Sequence, residues 1–129
     1  MPVDKESLIQ YRLQRAKETI KEAEDDISKK FLHSAENRIY YAIFYSVMSL
    51  ALKYDFSTSK HKQLLGWFNR NFIKTGKIDK DFGDIYRDAL ENRLEGDYED
   101  LKNFSSEEVN ADFSNMLKFV ERIEKLILE

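Results

Sequence analysis

Apolar residues recur at every third or fourth position through most of the chain. In the first segment Ile9, Leu13, Ala16, Ile20, Ala23 and Ile27 alternate spacings of four and three, which is the period of one helix face. Asp4 or Ser7 stands where an N-cap is wanted, and Pro2 lies before the start. The second segment, SAENRIYYAIFYSVMSLAL from Ser34 to Leu52, puts Tyr41, Phe44, Met48 and Ala51 on one face and Tyr40, Ile43, Val47 and Leu50 beside it. A helix that is apolar around most of its circumference belongs at the centre of a core. FSTSK then offers Ser57 or Ser59 as the cap of a shorter helix carrying Leu64, Leu65, Trp67 and Phe68, which fades near Thr75-Gly76. Phe82, Ile85, Tyr86, Ala89 and Leu90 make a fourth stripe ending close to Gly96. The last helix opens at Ser105 or Ser106, where Ser-Ser-Glu-Glu has the form of a capping box, and continues through Val109, Phe113, Met116, Val120, Ile123 and Ile127.

No segment alternates with period two, and one proline and four glycines leave few breaks, so the pattern predicts an all-α bundle of four long helices and one additional short helix. At 129 residues the chain fits a single domain, 1–129, without a linker or repeat. The uncharged run from Ile39 to Leu52 is shorter than the roughly 20 residues that cross a bilayer. Together with an N-terminus lacking the basic and apolar regions of a signal peptide, it predicts a cytoplasmic protein without a membrane partner.

Charge changes the picture only locally. The formal net charge is −3, but residues 53–80 carry seven bases against two acids, and residues 81–108 carry three bases against ten acids. This division suits the pairing of unlike surfaces better than a continuous nucleic-acid stripe. Several chemistries are excluded. There is no cysteine for a disulfide, thiolate site or nucleophile, and the isolated glycines form neither GxGxxG nor GxxxxGK[ST]. HExxH is absent, and the residues three before His33 and His61 are Lys30 and Thr58, so the Glu-x-x-His pairs of a di-iron bundle are missing. No metal or cofactor is expected.

Two polar clusters remain. Arg38, Tyr41 and Tyr45 share a helix face, with Asn37, Tyr41 and Phe44 on the adjoining ridge. This is either an anion or nucleotide edge, or an interhelical network in which Arg38 meets a carboxylate. In RLEGDYED, Arg93 lies on the apolar face near the end of the fourth helix, where a cation suits the helix dipole. A helix end at Gly96 would turn the chain so that Asp97 and Tyr98 approach Arg93, as a structural clamp or as a site. His61, between Lys60 and Lys62, reads as a first-turn surface residue, and Arg12 as a surface arginine for contrast with Arg38 and Arg93.

SAENRIYYAIFYSVMSLAL, SKHKQL, FIKTGKI and RLEGDY, in this order and spacing, resemble the small stand-alone HEPN-domain proteins of bacteria and archaea, from about Leu8 to Leu128. The paired signature NRxYYAxF and RxxxDY carries the likeness. The resemblance implies an up-and-down helical bundle, commonly a homodimer, encoded beside minimal nucleotidyltransferases in toxin–antitoxin modules. Many such domains are metal-independent ribonucleases with Arg followed after four to six residues by His, arginine holding the phosphate and histidine moving protons. The matching arginine is Arg93, but Asp97 occupies the region after it and neither histidine has the required spacing. The resemblance therefore implies a non-catalytic interaction or nucleotide/RNA-binding module, dimeric and acting with a nucleotidyltransferase-domain protein, with Asn37, Arg38, Tyr41, Arg93, Asp97 and Tyr98 as its binding or structural polar residues. The alternative is a ribonuclease with a variant Arg93-x3-Asp97-Tyr98 site assisted by His61.

Overall fold

The structure, a computed structural model, describes residues 4–98 and 103–129, with residues 94–98 as backbone alone. The helices are α1 (Lys5–Ser28), α2 (Leu32–Lys53), α3 (His61–Phe68), α4 (Lys80–Tyr98) and α5 (Ser106–Leu128), and a π-helical turn, Asn69–Ile73, continues α3. Helices α1, α2, α4 and α5 make the up-and-down bundle and α3 is the additional short helix. No strand occurs among the described residues.

Two of the expected caps form. Asp4 accepts the Ser7 backbone N–H at 2.7 Å and the Ser7 hydroxyl at 3.1 Å, which satisfies an orphan donor at the start of α1. Ser105 Oγ accepts the Glu108 N–H at 3.1 Å and opens α5. The start of α3 differs from expectation, because neither Ser57 nor Ser59 caps it. Thr58 Oγ1 instead accepts the Lys60 N–H at 3.1 Å, a hydroxyl turn that delays the helix until His61. The regular helix also ends sooner than the apolar stripe implied, at Phe68, with the π turn completing the path before Gly76, whose φ of 75° closes the corner. At the other end α4 runs through Gly96 to Tyr98, so the chain does not turn back before Asp97.

Helix α2 packs against α1, α3, α4 and α5, and this encirclement dictates how its polar groups are treated. Ser49 donates to the Ile9 carbonyl of α1 at 2.7 Å, and Ser46 donates to the Ile43 carbonyl at 2.7 Å. At the exit of α2, Lys53 Nζ donates to the carbonyls of Leu126, Ile127 and Glu129 at 2.8, 3.1 and 3.1 Å. A cation there satisfies acceptors that α5 cannot bond internally and opposes the partial negative charge of its end. Around α2 the core holds Ile39, Ile43, Leu50, Phe68, Phe72 and Phe119, each almost wholly buried. Such a side chain contributes about 1.5–3 kcal/mol. An exposed ion pair such as Lys5–Asp55 contributes about 0–1 kcal/mol, so apolar packing decides the fold.

Two buried polar groups stand against that trend. Glu36 of α2 is 1 % exposed, with Asp112 of α5 and Asn92 of α4 acting on it, although neither carboxylate oxygen reaches good hydrogen-bond geometry. Asn92 Nδ2 donates to Asp112 Oδ2 at 3.3 Å. Burial, and then the neighbouring Asp112, push the Glu36 carboxyl from its ordinary 4.5 up to about 9. Glu36 is therefore protonated at neutral pH and can donate towards Asp112 after a small rotation. The second group is Tyr86, packed on Phe68 and Phe119, whose hydroxyl is buried without a hydrogen-bond partner among the described residues. Arg12 also departs from its expected surface role: its Nη1 lies 3.7 Å from Met48 Sδ and its Nε is buried.

Glu36 binds a proton more tightly in the folded chain than in the unfolded one, so its contribution is fully present below pH 4.5 and is lost as pH rises towards 9. Relative to wild type, Glu36→Gln should gain up to about 1.4 kcal/mol per pH unit across that window, read as the difference between urea midpoints at pH 5 and pH 8. Equal midpoint shifts at both pH values would contradict it. Tyr86→Phe, which removes an unbonded hydroxyl while keeping the ring, should leave stability unchanged or raise it by about 1 kcal/mol in the same unfolding assay.

Candidate functional site

Three helices deliver four side chains to one half-buried place. Tyr40 and Tyr41 are consecutive on α2, His61 is the first residue of α3, and Arg93 lies towards the end of α4. The Tyr40 hydroxyl lies 2.6 Å from His61 Nδ1. The Arg93 guanidinium carbon stands 5.7 Å from the centroid of the Tyr40 ring and 5.4 Å from that of Tyr41, within cation–π range. His61 also packs on Phe44 at 4.5 Å between ring centroids and meets Tyr41 edge-on at 5.8 Å.

Local folding explains this assembly. Tyr40 and Phe44 are one helical turn apart on α2, so their rings form a continuous ridge. The turn made by Thr58 brings the start of α3 onto that ridge, where a lone imidazole fits between Phe44 and the Tyr40 hydroxyl. Helix α4 crosses α2 on the same side and brings Arg93 over the two tyrosines.

The electrostatics fix the proton arrangement. Burial raises the Tyr40 phenol well above its ordinary value, so it remains a hydroxyl. Burial first, and then the Arg93 charge, hold His61 below its ordinary value, so the imidazole is neutral at pH 7. The Tyr40 hydroxyl and Nδ1 share this hydrogen bond, and a hydroxyl that donates there leaves the imidazole proton on Nε2. Nε2 makes no hydrogen bond among the described residues, so its N–H is available beside a guanidinium. The site brings a guanidinium and an imidazole together on two tyrosine rings.

The other candidates divide. Asn37 and Arg38 are half-buried on α2, one turn before Tyr41, and make no hydrogen bond or ion pair among the described residues. Tyr45, one turn after Tyr41, lies under the Arg15 guanidinium at 5.3 Å. Asp97 and Tyr98 belong to α4 by backbone, but their side chains lie outside the described residues. His33 is exposed and meets Phe104 edge-on at 5.2 Å, away from the cluster. Sequence reasoning missed Tyr40, which reads as one more core aromatic; His61, read as a surface residue and, in the alternative, as an assistant to Arg93, is half-buried against Tyr40 and Phe44. The only signal available was that an i, i+4 pair of rings on the most buried helix leaves one hydroxyl needing a partner. Among the described residues no three His, Asp or Glu side chains are placed to hold a metal ion, and no helix is long and apolar enough to cross a membrane.

The hydrogen bond to Tyr40 and the proximity of Arg93 make His61 a reporter of the site. Its titration midpoint by NMR should lie below the ordinary value of about 6.5 and move upwards in Arg93→Ala, where a repelling charge has gone. An unchanged midpoint would separate the two residues electrostatically.

Comparison with known proteins agrees with the geometry of the bundle. Residues 9–129 match the HEPN domain. The chain is 44 % identical over 124 residues to a UPF0332 protein of Thermotoga maritima, covering 96 % of this chain and 94 % of the relative. It is 30 % identical over 121 residues to a Methanocaldococcus jannaschii protein named "Putative toxin MJ0605", covering 94 % and 90 % of the two chains. A second protein of that archaeon, "Putative toxin MJ0142", is 29 % identical over 96 residues, 74 % of this chain and 65 % of its own. With nearly its whole length matched and an all-helical fold among the described residues, the chain belongs to the HEPN-domain family.

Proposed function

We propose that this HEPN domain is a binding module that takes a phosphate group of a nucleotide or RNA at Arg93, His61 and Tyr41, and that it works within a toxin–antitoxin-type system. The observation that carries this reading is the convergence of the Arg93 guanidinium and the His61 imidazole on the same two tyrosine rings, Tyr40 and Tyr41. Arginine supplies charge and a planar set of donors suited to phosphate oxygens, and partial burial strengthens both over their value in water. Tyr41 offers a ring edge or face to the attached base, and Arg38 stands one turn away on the same helix as a second cation. The names of the two archaeal relatives support the toxin-type setting. A homodimer and a minimal nucleotidyltransferase partner belong to the same reading, supported by the family resemblance and by the division of the chain into a basic and an acidic segment.

A specific observation favours one second reading. His61 and Arg93 meet the same Tyr40 and Tyr41 rings although no histidine follows Arg93 at the ribonuclease spacing, so both residue types of that chemistry are present. Cleavage by the 2′-hydroxyl needs a base to take its proton and an acid for the departing oxygen. His61, bonded through Nδ1 and protonated at Nε2, is not a base in this state, and a neutral imidazole is a poor acid. Binding is therefore the better-supported use.

Fluorescence anisotropy with labelled oligoribonucleotide and with nucleoside triphosphate should show binding that weakens by about tenfold or more in Arg93→Ala and His61→Ala. His61→Gln, which keeps a donor, should recover part of the loss. Metal-free incubation from pH 5 to 8 should leave the RNA intact in wild type, Arg93→Ala, Asp97→Ala and His61→Ala. Robust wild-type cleavage abolished by both Arg93→Ala and His61→Ala would establish the ribonuclease reading instead.

A further inference from the structure

A groove lies between the α3–π-turn segment and α4, distinct from the tyrosine-lined site. It consists of two hollows, about 440 and 230 Å³, that meet at Asn69 and Arg87. Leu65, Leu90 and Ile73 supply its apolar surface. Lys62 stands at one end and Lys74 and Lys80 at the other, with Arg87 between them. All four cations are exposed; Lys62, Lys74 and Lys80 form no ion pair among the described residues, while Arg87 is shared between Asp84 and Asp88 at 3.3 and 3.4 Å.

The groove is built into the backbone. A Cβ on Gly83 would lie 3.2 Å from Ile73 Cγ1 and 3.3 Å from Asn69 Oδ1, so the absence of a side chain there lets α4 approach the π turn closely. A Cβ on Gly66 would lie 3.3 Å from Arg70 Nη1, so Arg70 lies across the space a side chain would fill. From Lys80 to Glu91, α4 rises about 16 Å along the groove, which matches about three turns of an α-helix laid beside it.

We infer that this groove docks an amphipathic, net-acidic helical segment of a partner protein. Its charge is complementary to such a segment, since four cations rim it against two carboxylates, Asp84 and Glu91. Its aliphatic floor receives the leucine-type anchors of a helix at i, i+4 and i+7. Single-stranded nucleic acid fits less well. Its bases need aromatic faces to stack on, and no ring lines either hollow. Its uniformly anionic backbone would also meet Asp84 and Glu91, whereas a peptide can place one cation opposite them.

The test uses a fluorescein-labelled peptide of three helical turns with leucine at that spacing and glutamate predominating elsewhere, a scrambled peptide of equal composition, and an oligouridylate. The amphipathic peptide should bind at least about tenfold more tightly than the scramble, and the double variant Lys74→Glu/Lys80→Glu or the single variant Leu65→Asp should remove that advantage. Arg93→Ala should retain it, which separates the groove from the proposed phosphate site. The charge-reversed residues are exposed, so unchanged circular dichroism and melting will accompany them. No binding of the amphipathic peptide, or equal binding of the scramble, would overturn the inference. So would oligouridylate binding that is lost in Lys74→Glu/Lys80→Glu, which would make the groove a nucleic-acid track. A fall in sedimentation mass of the same variant would assign the groove to a second copy of the chain and overturn it as well.

Discussion

The encirclement of α2 by the other four helices is the constraint on which the rest of the molecule depends. A helix buried around most of its circumference cannot leave the polar side chains of its inner faces to water, and each unsatisfied one costs about 1–3 kcal/mol. The chain meets this demand differently along the helix. Serines near the middle return their hydroxyl protons to backbone carbonyls, Lys53 escapes at the end to the carbonyls of α5, and Glu36 near the start gives up its charge. In the buried part of the helix Tyr40 satisfies its hydroxyl with a side chain from another helix, and the candidate site grows from that bond.

The site is thus a by-product of core packing as much as an addition to it. His61 is held by the same rings that hold the bundle together, and the charge of Arg93 is received by tyrosine faces. Burial and the charge of Arg93 together hold the imidazole neutral at pH 7.

Much of this was readable in the order of residues. The stripe from Ile9 to Ile27 and that from Val109 to Ile127 marked α1 and α5, and the pairs Asp4 or Ser7 and Ser105 or Ser106 bracketed their starts, because caps and helical periodicity are local properties. The apolar circumference of Ser34 to Leu52 marked the central helix. The start of α3 was misread because three hydroxyl residues in five compete for one turn, and Thr58 wins by geometry that no spacing encodes. The π turn carries no periodic signal either. Glu36 was passed over since its burial is imposed by Asn92 and Asp112, on helices distant in sequence. Arg93 could be singled out from its place near the end of an apolar stripe, but its neighbours Tyr40 and His61 are brought to it only by the crossing of three helices.

The clasp made by Lys53 has a consequence for the order in which the chain folds. It joins groups 73, 74 and 76 residues apart, whereas the contacts of α1 with α2 form across a short turn. Closing so long a loop loses more chain entropy than closing a hairpin, and no reward arrives until α5 has docked. The α1–α2 hairpin can therefore collect early, with the apolar side of α2 waiting for α5. Substitutions within the hairpin then act mainly on the rate of folding, and loss of the Lys53 clasp acts mainly on the rate at which the finished bundle opens.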